Sequence, residues 1–192
     1  MSDKKHGHVH HSKSTRDILN ARNILKHAGL ESGDKFLDAG CGDGFISFAA
    51  SEIVKPDGEV YAVDVYPESI KTVEEEIAKL DIKNIKAEVA DITEKIPLED
   101  ELIDLCVMAN VLHGFVENGE VDPVMREITR VVKQGGAFGV VEFKKIEGPP
   151  GPPFKVRLAP QDVEDILAQY GWQVTKTAEV GEYHYLTLGI KK

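Results

Sequence analysis

Three glycines at alternate positions, Gly40, Gly42 and Gly44, follow the carboxylate of Asp38 in the run Phe-Leu-Asp-Ala-Gly-Cys-Gly-Asp-Gly at residues 36–44. Glycines admit positive φ and put no side chain between a ligand and the main chain, so such a turn can hold a ligand against the backbone. The apolar pair before Asp38 reads as a strand, and Phe45-Ile46-Ser47-Phe48-Ala49-Ala50 as the start of a helix. A second acid, Asp64, closes the strand-like run Val-Tyr-Ala-Val-Asp, 20 residues beyond Gly44. An acid at that separation is placed to hydrogen-bond a ribose. Together the two features indicate a cofactor built on a nucleoside.

A pyrophosphate cofactor wants the spacing G-x-G-x-x-G with no negative charge beside the helix amides. Here the spacing is G-x-G-x-G, and Asp38 sits two residues before the first glycine. That carboxylate would repel phosphate, which disfavours a nicotinamide oxidoreductase. It suits a ligand carrying a sulfonium and an α-ammonium, S-adenosylmethionine (SAM).

From about Gly33 to the C-terminus the chain resembles the class I SAM-dependent methyltransferases. In that family the acid before the glycines lies near the methionyl amino group. The acid ending the second strand binds the ribose hydroxyls, and one after the third strand meets the adenine amino group. Asp38, Asp64 and Asp91 fall at those places. The resemblance implies a cofactor site of Asp38, Gly40, Cys41, Gly42, Gly44, Asp64, Val65, Asp91, Ile92 and Asn110. Residues 144–159 contain Gly-Pro-Pro and Arg-Leu, and Tyr-His-Tyr stands at 183–185. Those features are similar to small archaeal and bacterial methyltransferases related to the ubiquinone/menaquinone branch.

Methyl transfer from a sulfonium needs a positioned nucleophile, exclusion of water and sometimes loss of a proton. The family places its loop after the fourth strand beside the transferable methyl, here Asn110-Val-Leu-His-Gly. Asn110, Leu112 and His113 are therefore candidates to meet the acceptor. Glu142 ends the fifth strand and His184 begins the last. If the last strand inserts beside the fifth, His113, Glu142 and His184 converge as a general base or a holder of a divalent metal. His6, His8, His10 and His11 either join that cluster or form a solvated tail. Arg157 either lines the acceptor pocket or pairs with an acid.

The elements that must position these groups alternate. A helix is expected from Ser14 to Gly29, then strand 35–39, helix 44–54, strand 59–64, helix 67–80 and strand 85–90. The nearly continuous apolar run 102–109 suits a strand buried on both faces. A helix near 121–133, a strand at 137–143, a helix from Pro160 to Tyr170 and strands at 172–179 and 183–190 complete the chain, with loops at 110–119 and 144–159. The implied fold is α/β, a Rossmann-like class I methyltransferase with a mostly parallel seven-stranded sheet and an antiparallel final strand. Residues 1–13 are expected to be a flexible, histidine-rich arm, and 14–192 the methyltransferase domain.

A 192-residue chain with 42% hydrophobic residues suffices for one packed domain. A net charge of −10 argues against nucleic acid as a partner. No apolar run suits membrane insertion or a secretory signal. Two cysteines, Cys41 and Cys106, fit a cytoplasmic setting with reduced thiols. The expected activity is methyl transfer to a small molecule. The alternative is a non-catalytic SAM-binding subunit that regulates a partner. Arsenic methylation by related enzymes relies on several cysteines, which makes that acceptor unexpected here.

Overall fold

The computed structural model describes residues 18–148 and 150–192. The expected arm at 1–13, with His6, His8, His10 and His11, lies outside them.

Five parallel strands come first: β1 (Lys35–Ala39), β2 (Glu59–Asp64), β3 (Ile85–Val89), β4 (Ile103–Ala109) and β5 (Val132–Phe143). They are followed by β6 (Trp172–Glu179) and β7 (His184–Lys191). The seven form one sheet in the order β3-β2-β1-β4-β5-β7-β6, with β7 antiparallel to both its neighbours. The strand order reverses beside β1, between β2 and β4, which is where an open α/β sheet leaves a crevice at its C-terminal edge. Every acid singled out above stands at or just after that edge.

Helices cover both faces. α1 (Ala21–Ala28), α2 (Phe45–Ile53) and α3 (Pro67–Leu80) lie on one, and α4 (Leu112–Asn118), α5 (Val121–Val131) and α6 (Pro160–Gln169) on the other. Strand alternation feeds both cores. Phe138 and Val140 alternate with Val141, and the first two join the core of α5 and α6 while Val141 joins the core of α1.

Three elements differ from the sequence reading for local reasons. α1 starts at Ala21, because the Asn20 side chain accepts the Asn23 N–H and caps the helix there. The expected loop at 110–119 contains the short helix α4. β5 begins directly at the end of α5: Ile103 pairs with Val132 and Leu105 with Ala137, so residues 133–136 are extruded as a bulge. Gly135, at φ 76°, makes that bulge and accounts for the break that the sequence suggests at Gln134-Gly-Gly.

Candidate active site

The glycine turn is held by the strand beside it. The amides of Gly40 and Cys41 both donate to the Val63 carbonyl, at 2.9 and 3.0 Å. Gly40 has φ 81°, and a Cβ there would stand 2.8 Å from Val111 Cγ2. The obstacle to a side chain is thus a neighbouring residue as well as the backbone. Gly44, at φ 76°, caps α2 with its backbone, and its missing Cβ makes room for Phe48 and Val73. Gly42 is the open one: at φ 53° an added Cβ meets nothing within 4 Å. Gly40→Val should lower the melting temperature by several degrees through the disfavoured φ and the contact with Val111. A variant as stable as the wild type would mean that the turn relaxes freely.

Asp64 fastens the turn to β2. Its Oδ2 accepts the Gly42 N–H and its Oδ1 the Tyr66 N–H, both at 2.9 Å. Asp91 organises its own loop by accepting the Thr93 amide at 2.9 Å and the Thr93 hydroxyl at 2.6 Å. Ile92 beside it is buried, whereas Val65 is 38% exposed at the rim. Cys41 is buried in the turn, and burial pushes its thiol pKa far up, which makes it a poor nucleophile.

Asp38 is 2% exposed and accepts a 2.6 Å hydrogen bond from Ser47 Oγ on α2. Burial raises its pKa from 3.8 to about 7, against the Ser47 bond, which favours the ionised form. Between about pH 4 and 7 the folded protein keeps a proton there that the unfolded chain has released. This contribution to stability is whole below pH 4 and is lost as the pH rises through 7. Asp38→Asn removes the loss, so the ligand-free variant should melt above the wild type at pH 8 and level with it at pH 4. Calorimetry showing the variant less stable at pH 8 would mean that burial does not penalise the carboxylate.

His113 and Glu142 meet. Glu142 is fully buried, and its Oε1 accepts the His113 backbone N–H at 3.0 Å. This satisfies one of the unpaired amides in the first turn of α4. His113 Nδ1 lies 2.9 Å from Oε2 and 3.1 Å from Oε1. A carboxylate there fixes the tautomer with the proton on Nδ1 and leaves Nε2 able to accept a proton.

His184 does not join them. It is in register with Phe143, while Glu142 is in register with Tyr185. Alternation therefore places His184 on the α1 face and the Glu142–His113 pair on the α4 face, both at the same edge. The structure thus pairs His113 with Glu142 and leaves both ring nitrogens of His184 without a hydrogen-bond partner on the other face. Among the described residues no group of three His, Cys, Asp or Glu side chains could hold a metal ion.

Among the described residues Arg157 pairs with no acid. Its guanidinium donates to five backbone carbonyls, of Lys144, Ile146, Gly148, Pro150 and Pro152, which folds the 144–157 loop around it. Sequence reasoning missed Ser47 and Thr93. Ser47 had a signal, a polar residue in the otherwise apolar first turns of α2.

Glycine turn, strand-end acids and sheet order together define an α/β protein whose strand order reverses beside β1, where an open sheet of this kind takes its ligand. Residues 30–187 match the family model described as a methyltransferase domain. The chain belongs to that family, and it is a SAM-dependent methyltransferase. A SAM-dependent methyltransferase from Aquifex aeolicus has the same fold, with a TM-score of 0.85 and 30% identity over 94% of each chain. The ubiquinone/menaquinone biosynthesis C-methyltransferase of Pseudomonas paraeruginosa is 26% identical over 98% of this chain and 75% of its own length. The arsenite methyltransferase of Halobacterium salinarum is 32% identical over 64% of this chain, which spans 30% of that protein.

Proposed function

We propose that the edge formed by β1, β2 and β4 holds SAM and that His113 accepts a proton from a small-molecule acceptor, with Glu142 orienting the ring. The observation that carries this reading is the buried Glu142 carboxylate bonded to both the His113 amide and Nδ1. A bound SAM supplies a methyl group activated by its sulfonium.

The residues fit that cofactor. Asn110, at φ 59°, keeps both side-chain polar atoms buried and without a partner, which suits a polar ligand at the end of β4. Gly42 leaves its face of the turn open. Asp64 is fixed by two amides and retains lone pairs for the ribose hydroxyls, and Asp91, just after β3, would take the adenine amino group. An ammonium beside Asp38 would offset the burial that raises its pKa. Gly40, Cys41, Gly44, Val65 and Ile92 complete the lining.

A base at Nε2 serves an acidic hydroxyl or a carbon acid. The relatives named as C-methyltransferases support carbon as the methylated atom. Arsenite is disfavoured, since Cys41 and Cys106 are both buried. The net charge of −10 disfavours nucleic acid as the acceptor. No helix among the described residues is long and apolar enough to cross a membrane, and the two free cysteines support work in the cytoplasm.

The test is incubation of the protein with methyl-labelled SAM and cell extract, followed by separation of metabolites, protein and RNA. Label in a metabolite one methyl group heavier than its precursor supports the proposal. Label confined to protein or RNA would contradict it.

A further inference from the structure

Four of the six buried side-chain polar atoms left without a partner among the described residues belong to two residues, Asn110 and His184. Both stand at the C-terminal edge of the sheet. Asn110 follows β4 and His184 opens β7, with only β5 between them, so their backbones are about two strand spacings, roughly 10 Å, apart. A buried imidazole with both nitrogens unpaired costs stability, because neither water nor protein replaces the lost hydrogen bonds. Such a cost at a ligand-binding edge points to a ligand.

The surroundings of His184 specify what kind. Its ring lies 4.0 Å from that of Phe143, and the Arg157 guanidinium stands 5.6 Å from the other ring of that pair. Arg157 carries its charge at 3% exposure with all five donors spent on carbonyls. It can therefore bias the field at the site but cannot itself grip a ligand. Lys144 adds a second positive charge, paired at 3.0 Å with a Glu179 side chain that is mostly in water. Burial, then Arg157 and Lys144, lower the His184 pKa to about 4. At neutral pH the ring is an uncharged donor and acceptor in a positive field.

We propose that His184 is the acceptor-recognition residue of this enzyme and that the acceptor carries an anionic oxygen group, such as a carboxylate, which takes a hydrogen bond from the imidazole. This rests on the methyltransferase reading of the same edge. The acceptor then lies across the end of β5, with its anionic end at His184 on one face and its reacting atom toward His113 on the other. His184 is wholly buried without a ligand, so entry must displace part of its cover. Gly151 packs against the Phe143 ring, and Arg157, 5.6 Å from that ring, donates to carbonyls of the same 144–157 loop.

The test uses the full chain saturated with S-adenosylhomocysteine and two probes of similar shape, 4-hydroxybenzoate and 4-hydroxybenzamide. Calorimetry should show the carboxylate binding at least tenfold more tightly. In His184→Phe that preference should fall to within twofold while S-adenosylhomocysteine binds as before. In parallel, nitrogen-15 spectra of histidine-labelled wild type should show the His184 ring signals moving with 4-hydroxybenzoate and staying still with the amide. No preference for the anion, a preference that survives in His184→Phe, or ring signals unmoved by the carboxylate would each overturn the assignment. Failure of S-adenosylhomocysteine itself to bind would instead count against the cofactor site.

Discussion

His113→Ala is expected to slow methyl transfer by about 10²–10⁴-fold, the usual worth of a positioned acid or base, while SAM affinity stays within a few-fold. The separation is expected because the ring is held by Glu142 at the end of β5, whereas the acids proposed to bind the cofactor stand on β1, on β2 and after β3. Glu142→Gln sharpens the test. Its amide oxygen can still accept the His113 backbone N–H, yet its NH₂ would then face Nδ1 and favour the opposite tautomer. The ring would remain in place with its proton on Nε2, unable to act as base. Single-turnover rates in both variants should fall together, and the double variant should lose little more. Wild-type rates in His113→Ala would remove the base from the account.

Asp64→Ala is expected to weaken SAM binding by about 1.5–3 kcal/mol, the value of charge-assisted hydrogen bonds to a sugar. The structure adds a second consequence. Asp64 also receives the Gly42 and Tyr66 amides, so the alanine variant should melt several degrees lower as well. Asp64→Asn separates the two effects, since its carbonyl oxygen retains one of the amide bonds while the charge is gone. Titration calorimetry and thermal melts on the three proteins measure both. Unchanged affinity in a folded Asp64→Ala protein would take Asp64 out of the cofactor site.

Much of this was legible in the chain because it is written in local chemistry. The alternating glycines give the turn, and the helix from Pro67 begins and ends where its apolar spacing and leading proline require. The buried run in β4 and the short link between the last two strands give the sheet its centre and its antiparallel insertion. What sequence could not supply depends on parity and on long-range partners. Glu142 and His184 were both placed at the right edge, but one residue of register decides which face each side chain takes. Arg157 could not be assigned because its five acceptors are backbone carbonyls, which every residue possesses and no sequence pattern marks. The bulge at Gly135 hid the start of β5 behind the same glycines that would end a helix.

In the proposed complex one sheet edge holds the cofactor through Asp38, Asp64, Asp91 and Asn110 with its sulfur toward His113. A crystal structure with S-adenosylhomocysteine tests it most directly. The ribose hydroxyls are expected on Asp64, the adenine amino group at Asp91, a polar contact at the now unpartnered Asn110 amide, and the sulfur facing the space beside His113 Nε2. S-adenosylhomocysteine bound with its ribose away from Asp64, or with its sulfur turned from the end of β4, would contradict it.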